Sequence, residues 1–455
     1  MTGRPAGLLL TLCGAFFLDV LGTTSVFAAS PAIGAAMHLD ATALQWLFTA
    51  ATLPGGAVLL VGGNLADRYG GRRMFLLGLA GFTLASLGCA VTDLYAALLA
   101  FRVLQGTAAG IVVPASLAVL LAVFPGGAER TRALAIWSTV SGVGATAGLL
   151  LGGLLTGAIG WRWVFLVNVP GGLLIGVAAV LLLPRMPRRP RERLDLAGLA
   201  FFTVGAAAVI FGLSAIPEQG VGVVPVLTTV AGVAALGAFV LVERSTAVPA
   251  LPLRLLRVPR VAGGLVALVA AGLTVDGLLF ALTLFTQQQL DWNALGFAVA
   301  AAVMTATSVG SSWVAGRLVP RLGAPALAAI GLLLLGGAGA CFVVMAQGGV
   351  LLLGPGLVLF GLGMGPAYVG GSNASLLHVA SDDAGAAGAL QNIAFTAGSI
   401  VGVALYATVL SAAPASAGAE RYLPAFAVGA LLMLGVVAAL AGAPGLRRWR
   451  AARVP

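Results

Sequence analysis

The chain has 455 residues, is 60% hydrophobic and only 8% charged, and has a mean hydropathy of +1.08. Soluble domains carry about a quarter charged residues, so this composition excludes an ordinary soluble protein and places the chain in a bilayer. The net charge of +10 comes from arginines in short runs beside apolar segments, where the partner they fit is lipid headgroups and not nucleic acid.

Apolar runs of about 20 residues, the length that crosses a hydrocarbon core, divide the chain into fourteen predicted helices. The first six fall at 7–29, 43–63, 74–92, 96–122, 133–157 and 162–184. Two more fall at 195–216 and 222–243, and six follow at 261–286, 294–316, 325–346, 350–378, 386–412 and 422–443. Among 65 glycines are many of the small side chains that let membrane helices approach closely, because packing and not water exclusion drives their association. The expected fold class is therefore an all-α integral membrane protein with fourteen transmembrane helices.

The N-terminal run imitates a secretory signal, with Arg4, an apolar core and the small residues Ala28-Ala29-Ser30-Pro31-Ala32. Gly7 to Ala29 is long enough to span, however, and Asp19 interrupts it where a signal core is apolar, so it reads as the first transmembrane helix. Basic residues then test the count, because one missed helix would scramble their alternation. Arg4, Arg68 to Arg73, Arg130 and Arg132, the run from Arg185 to Arg193, Arg244 to Arg260, Arg317 and Arg321, and the tail Arg447 to Arg453 all fall on one side. Only Arg162 and Arg421 fall on the other, and Arg102 lies inside a span. Both termini are thus expected in the cytoplasm, and the protein in the cytoplasmic membrane. Cys13, Cys89 and Cys341 all sit in apolar spans without disulfide or metal spacing, and His38 and His378 have no acids or cysteines at ligand spacing. No metal and no cofactor is expected.

Between the second and third segments lies Gly62-Gly63-Asn64-Leu65-Ala66-Asp67-Arg68-Tyr69-Gly70-Gly71-Arg72-Arg73, dense in charge and glycine, which reads as a cytoplasmic hairpin whose glycines permit a tight turn. Sliding the sequence by 253 positions overlays Gly316-Arg317-Leu318-Val319-Pro320-Arg321-Leu322-Gly323 on residues 63–70, with Gly, Leu, Arg and Gly coinciding. Both copies follow the second helix of a six-helix set if residues 1–184 and 261–455 are two pseudo-symmetric halves and residues 185–260 a linker carrying two additional helices. Parallel repeats of this kind place a substrate site at the midplane between halves.

The run Gly63-x-Leu65-Ala66-Asp67-Arg68-x-Gly70-x-Arg72-Arg73 resembles the signature loop of the major facilitator superfamily. Gln45-Trp46 and Thr49, then Arg102-x-x-Gln105-Gly106 with Pro114, then Trp161-Arg162-Trp163-Val164-Phe165-Leu166-Val167-Asn168-Val169-Pro170, resemble its fourteen-helix drug:proton antiporter branch. The resemblance implies the major facilitator fold and a proton-coupling role for Arg102. It gives Gly63, Asp67, Arg68, Gly70, Arg72 and Arg73 to a cytoplasmic gating loop. Gly144, Gly148, Gly152 and Gly153 resemble the antiporter-motif helix, with Leu149 where the family carries proline. The helix-one acid of the family has Gly22 in its place, and Asp19 stands almost one turn earlier on the same face.

The residues themselves argue in the same direction. A guanidinium inside a span must be paired or reach a polar cavity, so Arg102 is either a coupling residue or a structural one bonded to backbone carbonyls. Asp19 and Asp276 are the acids most clearly inside spans, one in the first helix of each half. Each is a candidate for proton coupling, against the alternatives of permanent pairing with Arg102 or a position near water. Gln105, Asn373, Gln391 and Asn392 are uncharged amides that could line a substrate cavity or bond a neighbouring helix. Gln287 to Gln289 with Asp291 and Trp292 read as an ordinary span boundary.

The expected function is proton-coupled efflux of small amphipathic drugs or antibiotics by alternating access, with protons and membrane lipids as further partners and a monomer as the expected state. The chain contains no lysine and hence no Gly-x-x-x-x-Gly-Lys nucleotide loop, which leaves an ion gradient as the energy source. The alternatives are a transporter of one metabolite with different or no proton coupling, and a transporter-fold receptor without turnover. An enzyme is not expected, since no nucleophile or acid cluster is present.

Overall fold

The computed structural model describes residues 4–124, 127–184, 196–219, 222–245, 253–376, 384–412 and 415–442. Among them the chain is helical: α1 Arg4–Met37, α2 Ala41–Tyr69, α3 Gly71–Val91, α4 Tyr95–Val123, α5 Gly127–Ile159, α6 Trp163–Leu166, α7 Asn168–Leu182, α8 Leu196–Gln219 and α9 Val223–Ser245. There follow α10 Pro259–Gln288, α11 Ala294–Leu322, α12 Ala324–Ala346, α13 Leu353–Leu376, α14 Ala384–Ala412 and α15 Leu423–Gly442, with short 3-10 turns at Leu253–Arg257, Val350–Leu352 and Ala415–Tyr422. Only Val167, itself helical, separates α6 from α7, so these two are one span and the total is the fourteen expected. Among the described residues eleven are long and apolar enough to cross a membrane; α5 and α8 contain the shorter apolar stretches Val143–Ile159 and Ala200–Val209, and α2 is not among the eleven.

The helices outrun the apolar segments that predict them, and the signature run is the clearest case. It is not a loop. α2 continues through Tyr69, and Gly70 alone breaks the helix with φ +94° before α3 begins at Gly71. Nothing from Asn64 to Tyr69 obstructs a helix, while a left-handed φ is cheap only for glycine. Gly63 and Arg68 therefore lie in the last turns of α2, and Arg72 and Arg73 in the first turn of α3. Gly323 makes the same turn between α11 and α12, with φ +83° and its N–H donating to Val319 O, as Gly70 donates to Ala66 O. The linker run Arg185 to Arg193, the tail Arg447 to Arg453 and His378 lie outside the described residues, as does the side chain of Asp67.

The chain divides into two compact units, residues 1–212 with 221–250 and 292–298, and residues 213–220 with 251–291 and 299–455. In the first, Leu8, Leu12 and Ala15 of α1 pack with Met74, Phe75 and Leu79 of α3 and Val112 and Val119 of α4. The outward side chains are apolar too: Leu173, Leu174, Val177 and Leu181 of α7 are all exposed, as a lipid-facing surface requires. In the second unit α10 is the most enclosed of the eleven spans.

Hydroxyls inside the spans are absorbed by their own helices. Thr11, Thr24, Thr83, Ser86, Thr283 and Thr305 each donate to the carbonyl four residues back, the back-bonding open to Ser and Thr in a helix. Each is satisfied within its own helix, and of the six Ser86 also accepts a bond from another helix, from Gln105 of α4. The polar groups that do not satisfy themselves locally are the informative ones.

Candidate functional site

Arg102 is the largest fully buried side chain, with 1% exposure. Its Nε donates to Leu47 O of α2 at 2.9 Å and its Nη1 to Gln105 Oε1 at 2.6 Å. Gln105 Nε2 in turn donates to Ser86 Oγ of α3 at 2.8 Å. The guanidinium carbon stands 5.9 Å from the centre of the Phe165 ring, within range of a cation–π attraction. Three helices and the α6 aromatic thus hold one charge, with Nη2 left over. That atom has no hydrogen-bond partner among the described residues, and neither do Gln45 Oε1 and Nε2, Thr49 Oγ1 or Asn168 Oδ1. All of these are buried polar atoms of the first unit.

Asp19 prolongs the buried α1 stripe of Leu8, Leu12 and Ala15, and it lies within electrostatic reach of Arg102. The two form no ion pair, and no hydrogen bond to the Asp19 carboxylate is found among the described residues. Permanent pairing with Arg102, one of the readings open in the sequence, is therefore not what the structure contains. At Gly22 a β-carbon would lie 3.1 Å from Asn168 Nδ2 and 3.5 Å from Phe82. The stretch of α1 around Gly22 is thus close against α3 and α7, beside the Asn168 amide, whose Nδ2 donates to Val164 O and whose Oδ1 has no partner among the described residues.

The glycines of α5 let α1 come into backbone contact. A β-carbon on Gly148 would lie 1.9 Å from Thr24 Oγ1 and 2.7 Å from Leu21 O, and one on Gly152 2.6 Å from Ser25 O. At Gly144 the neighbour is Val20 at 3.2 Å. Gly153 is buried and Leu149 is 5% exposed within a continuous α5. In the second unit Gly398 and Gly402 of α14 meet α10 in the same way, at 2.0 Å from Val269 O and 2.2 Å from Leu273 O. Asp276 of α10 accepts a hydrogen bond from Ser399 Oγ of α14 at this joint.

The remaining candidates are more dispersed. At the signature turn Arg72 Nη2 donates to Val180 O of α7 at 2.7 Å, Arg68 sits 5.4 Å from the Tyr69 ring centre, and Arg73 is exposed. Gln391 is fully engaged, accepting from Ser372 Oγ and donating to Ser372 O and Ser375 Oγ at 2.8, 3.0 and 2.7 Å. It is a clamp between α14 and α13. Asn373 and Asn392 donate only to their own helices, at Val369 O and Gly388 O, and Asn392 is exposed. Gln105 belongs to the first unit, and Asn373, Gln391 and Asn392 belong to the second. Sequence reasoning passed over Ser86 and Ser399 as site residues. Neither carries a signal, because a serine in a span is usually absorbed by its own helix. Gln45, Thr49 and Asn168 stood only in the family motifs.

The sequence pattern of the Major Facilitator Superfamily matches residues 12–403. The chain belongs to that superfamily. As a facilitator it is a transporter and a multi-pass membrane protein, and the Arg102 cluster is a polar centre inside its membrane-embedded first unit. This facilitator is 37% identical to a puromycin resistance protein of Streptomyces alboniger, over 94% of this chain and 90% of that one. It is 35% identical to a cephamycin export protein of Amycolatopsis lactamdurans, over 98% and 94% respectively. With a tetracenomycin C resistance and export protein of Streptomyces glaucescens it shares 30% identity, over 90% and 77%. The fold matches the crystal structure of an auto-inhibited POT family peptide transporter at TM-score 0.70, 14% identity, over 98% of this chain and 97% of that one.

Proposed function

We propose that this facilitator exports small amphipathic organic molecules, antibiotics among them, across the cytoplasmic membrane by alternating access, driven by the proton gradient and working as a monomer. The observation that carries the reading is near full-length similarity to proteins named for antibiotic resistance and export. In this reading residues 1–184 and 261–455 are the two six-helix halves and 185–260 the insert with two extra helices. The matching turns at Gly70 and Gly323 and the matching glycine joints of α1 with α5 and α10 with α14 support it. Arginine alternation supports cytoplasmic termini.

Proton coupling is assigned to Arg102, Asp19 and Asp276. Arg102 is held by hydrogen bonds and has no ion-pair partner among the described residues, and an enclosed charge of that kind responds to any change in a nearby acid. The signature turn with Asp67, Arg68, Arg72 and Arg73 acts as the cytoplasmic gate. For substrate contact Asn373 and Asn392 are the better candidates, because the side chains of Gln105 and Gln391 are committed to protein partners. Growth inhibition by a panel of amphipathic antibiotics, in a host stripped of its own efflux pumps, tests the reading. Expression should raise the inhibitory concentration several-fold for at least one compound, and Arg102→Ala at equal membrane abundance should cancel the gain. No change for any compound would contradict export.

A further inference from the structure

The glycine contacts put the two α-helical joints into register. Aligning Gly144 and Gly148 of α5 with Gly398 and Gly402 of α14 brings Leu21, opposite Gly148, onto Leu273, opposite Gly402. In that register Thr24 takes the place of Asp276 and Ala145 the place of Ser399. Asp276 is thus not the counterpart of Asp19, although both lie in the first helix of a half. The joint of α10 with α14 has an acid where the joint of α1 with α5 has Thr24, and the hydroxyl of Ser399 where that joint has Ala145.

We propose that Ser399 is a positioning residue that presents the Asp276 carboxylate as the proton-binding group of the second unit, and that proton uptake there changes how α14 seats on α10. This deepens the proton-coupled reading of Asp276 and rests on it. The joint has no slack. A β-carbon on Gly272 would lie 2.2 Å from Phe395 O and 2.9 Å from Ser399 N, and the neighbouring approaches at Gly398 and Gly402 are as close. Among the described residues, no opposing charge faces the carboxylate. Of the titratable side chains on the helices packed against α10, α13 carries Tyr368, α14 Tyr406 and α12 Cys341, and α15 carries none. Arg254 and Arg257 before α10, and Glu420, Arg421 and Tyr422 before α15, belong to the short turns at the ends of these spans. A carboxylate inside such a contact, with one hydroxyl donor, is costly as an anion and cheap as a neutral acid. The free energy of the α10–α14 contact therefore depends on whether Asp276 holds a proton.

The test uses the full chain in lipid nanodiscs, without substrate, so that its outcome is independent of whether the protein exports anything. Infrared difference spectra between acidic and alkaline pH should contain a protonated-carboxyl band that disappears in Asp276→Asn. Its pH midpoint should be displaced by about one unit in Ser399→Ala, the scale expected for one hydrogen bond to a charged group. It should stay in place in Ser399→Thr, which keeps the hydroxyl. Hydrogen exchange over residues 269–280 and 395–406 should follow the same midpoint. A band unaffected by Asp276→Asn, a midpoint common to Ser399→Ala and the parent, or exchange in both segments indifferent to pH would each overturn the proposal. Loss of drug resistance with these signatures intact would instead count against the export reading.

Discussion

The Arg102 guanidinium is enclosed by Leu47 O, Gln105 and the Phe165 ring, contacts that offset the roughly 3 kcal/mol a charged side chain costs at the centre of a span. Gln105 is the critical neighbour, because it is bonded to Arg102 on one side and Ser86 on the other. Gln105→Ala should lower the free energy of unfolding by about 1–3 kcal/mol, as an orphaned buried donor does, readable by thermal unfolding in detergent. Ser86→Ala removes only the outer contact and should cost less. For transport, Arg102→Lys is the discriminating change. An ammonium has no fork with which to meet Leu47 O and Gln105 together, so the variant should transport as poorly as Arg102→Ala. Parental flux in Arg102→Lys would reduce the role of Arg102 to its charge alone.

Glycine joints decide how the spans fit. Gly148→Ala and Gly402→Ala each place a methyl group within about 2 Å of atoms on α1 or α10, and forcing helices apart at such contacts costs about 1–3 kcal/mol. Both should lower thermal stability, while Gly435→Ala, with nothing within 4 Å of its β-carbon, should not. The spans were legible in the sequence because about 20 apolar residues must cross a bilayer together. Their ends were less so: α2 runs on through the charged residues to Tyr69, since a helix stops where the backbone demands it and not where hydrophobicity ends. Arg102 was legible because a cation in an apolar run stands out. Its partners were not, because Ser86 is one hydroxyl among many, and Asp276 meets Ser399 across 123 residues. Likewise the sequence left Gln391 open between a ligand and a neighbouring helix, and its bonds go to Ser372 and Ser375 of α13.

At the scale of the molecule, the arginine alternation predicts that a fluorescent protein fused after Pro455 folds and fluoresces in the cytoplasm, while a periplasm-dependent phosphatase fused there stays inactive. The reverse pattern would invert the orientation and move the signature turn to the other face. The export proposal rests on the full-length resemblance to antibiotic exporters, and the proposed proton coupling rests on the enclosed Arg102, which has no ion-pair partner among the described residues. The direct measurement is flux of a fluorescent amphipathic cation in proteoliposomes of the purified chain under an imposed pH gradient. Transport should follow the gradient and fall to the level of empty liposomes when a protonophore collapses it; an unchanged rate after collapse would contradict proton-driven export.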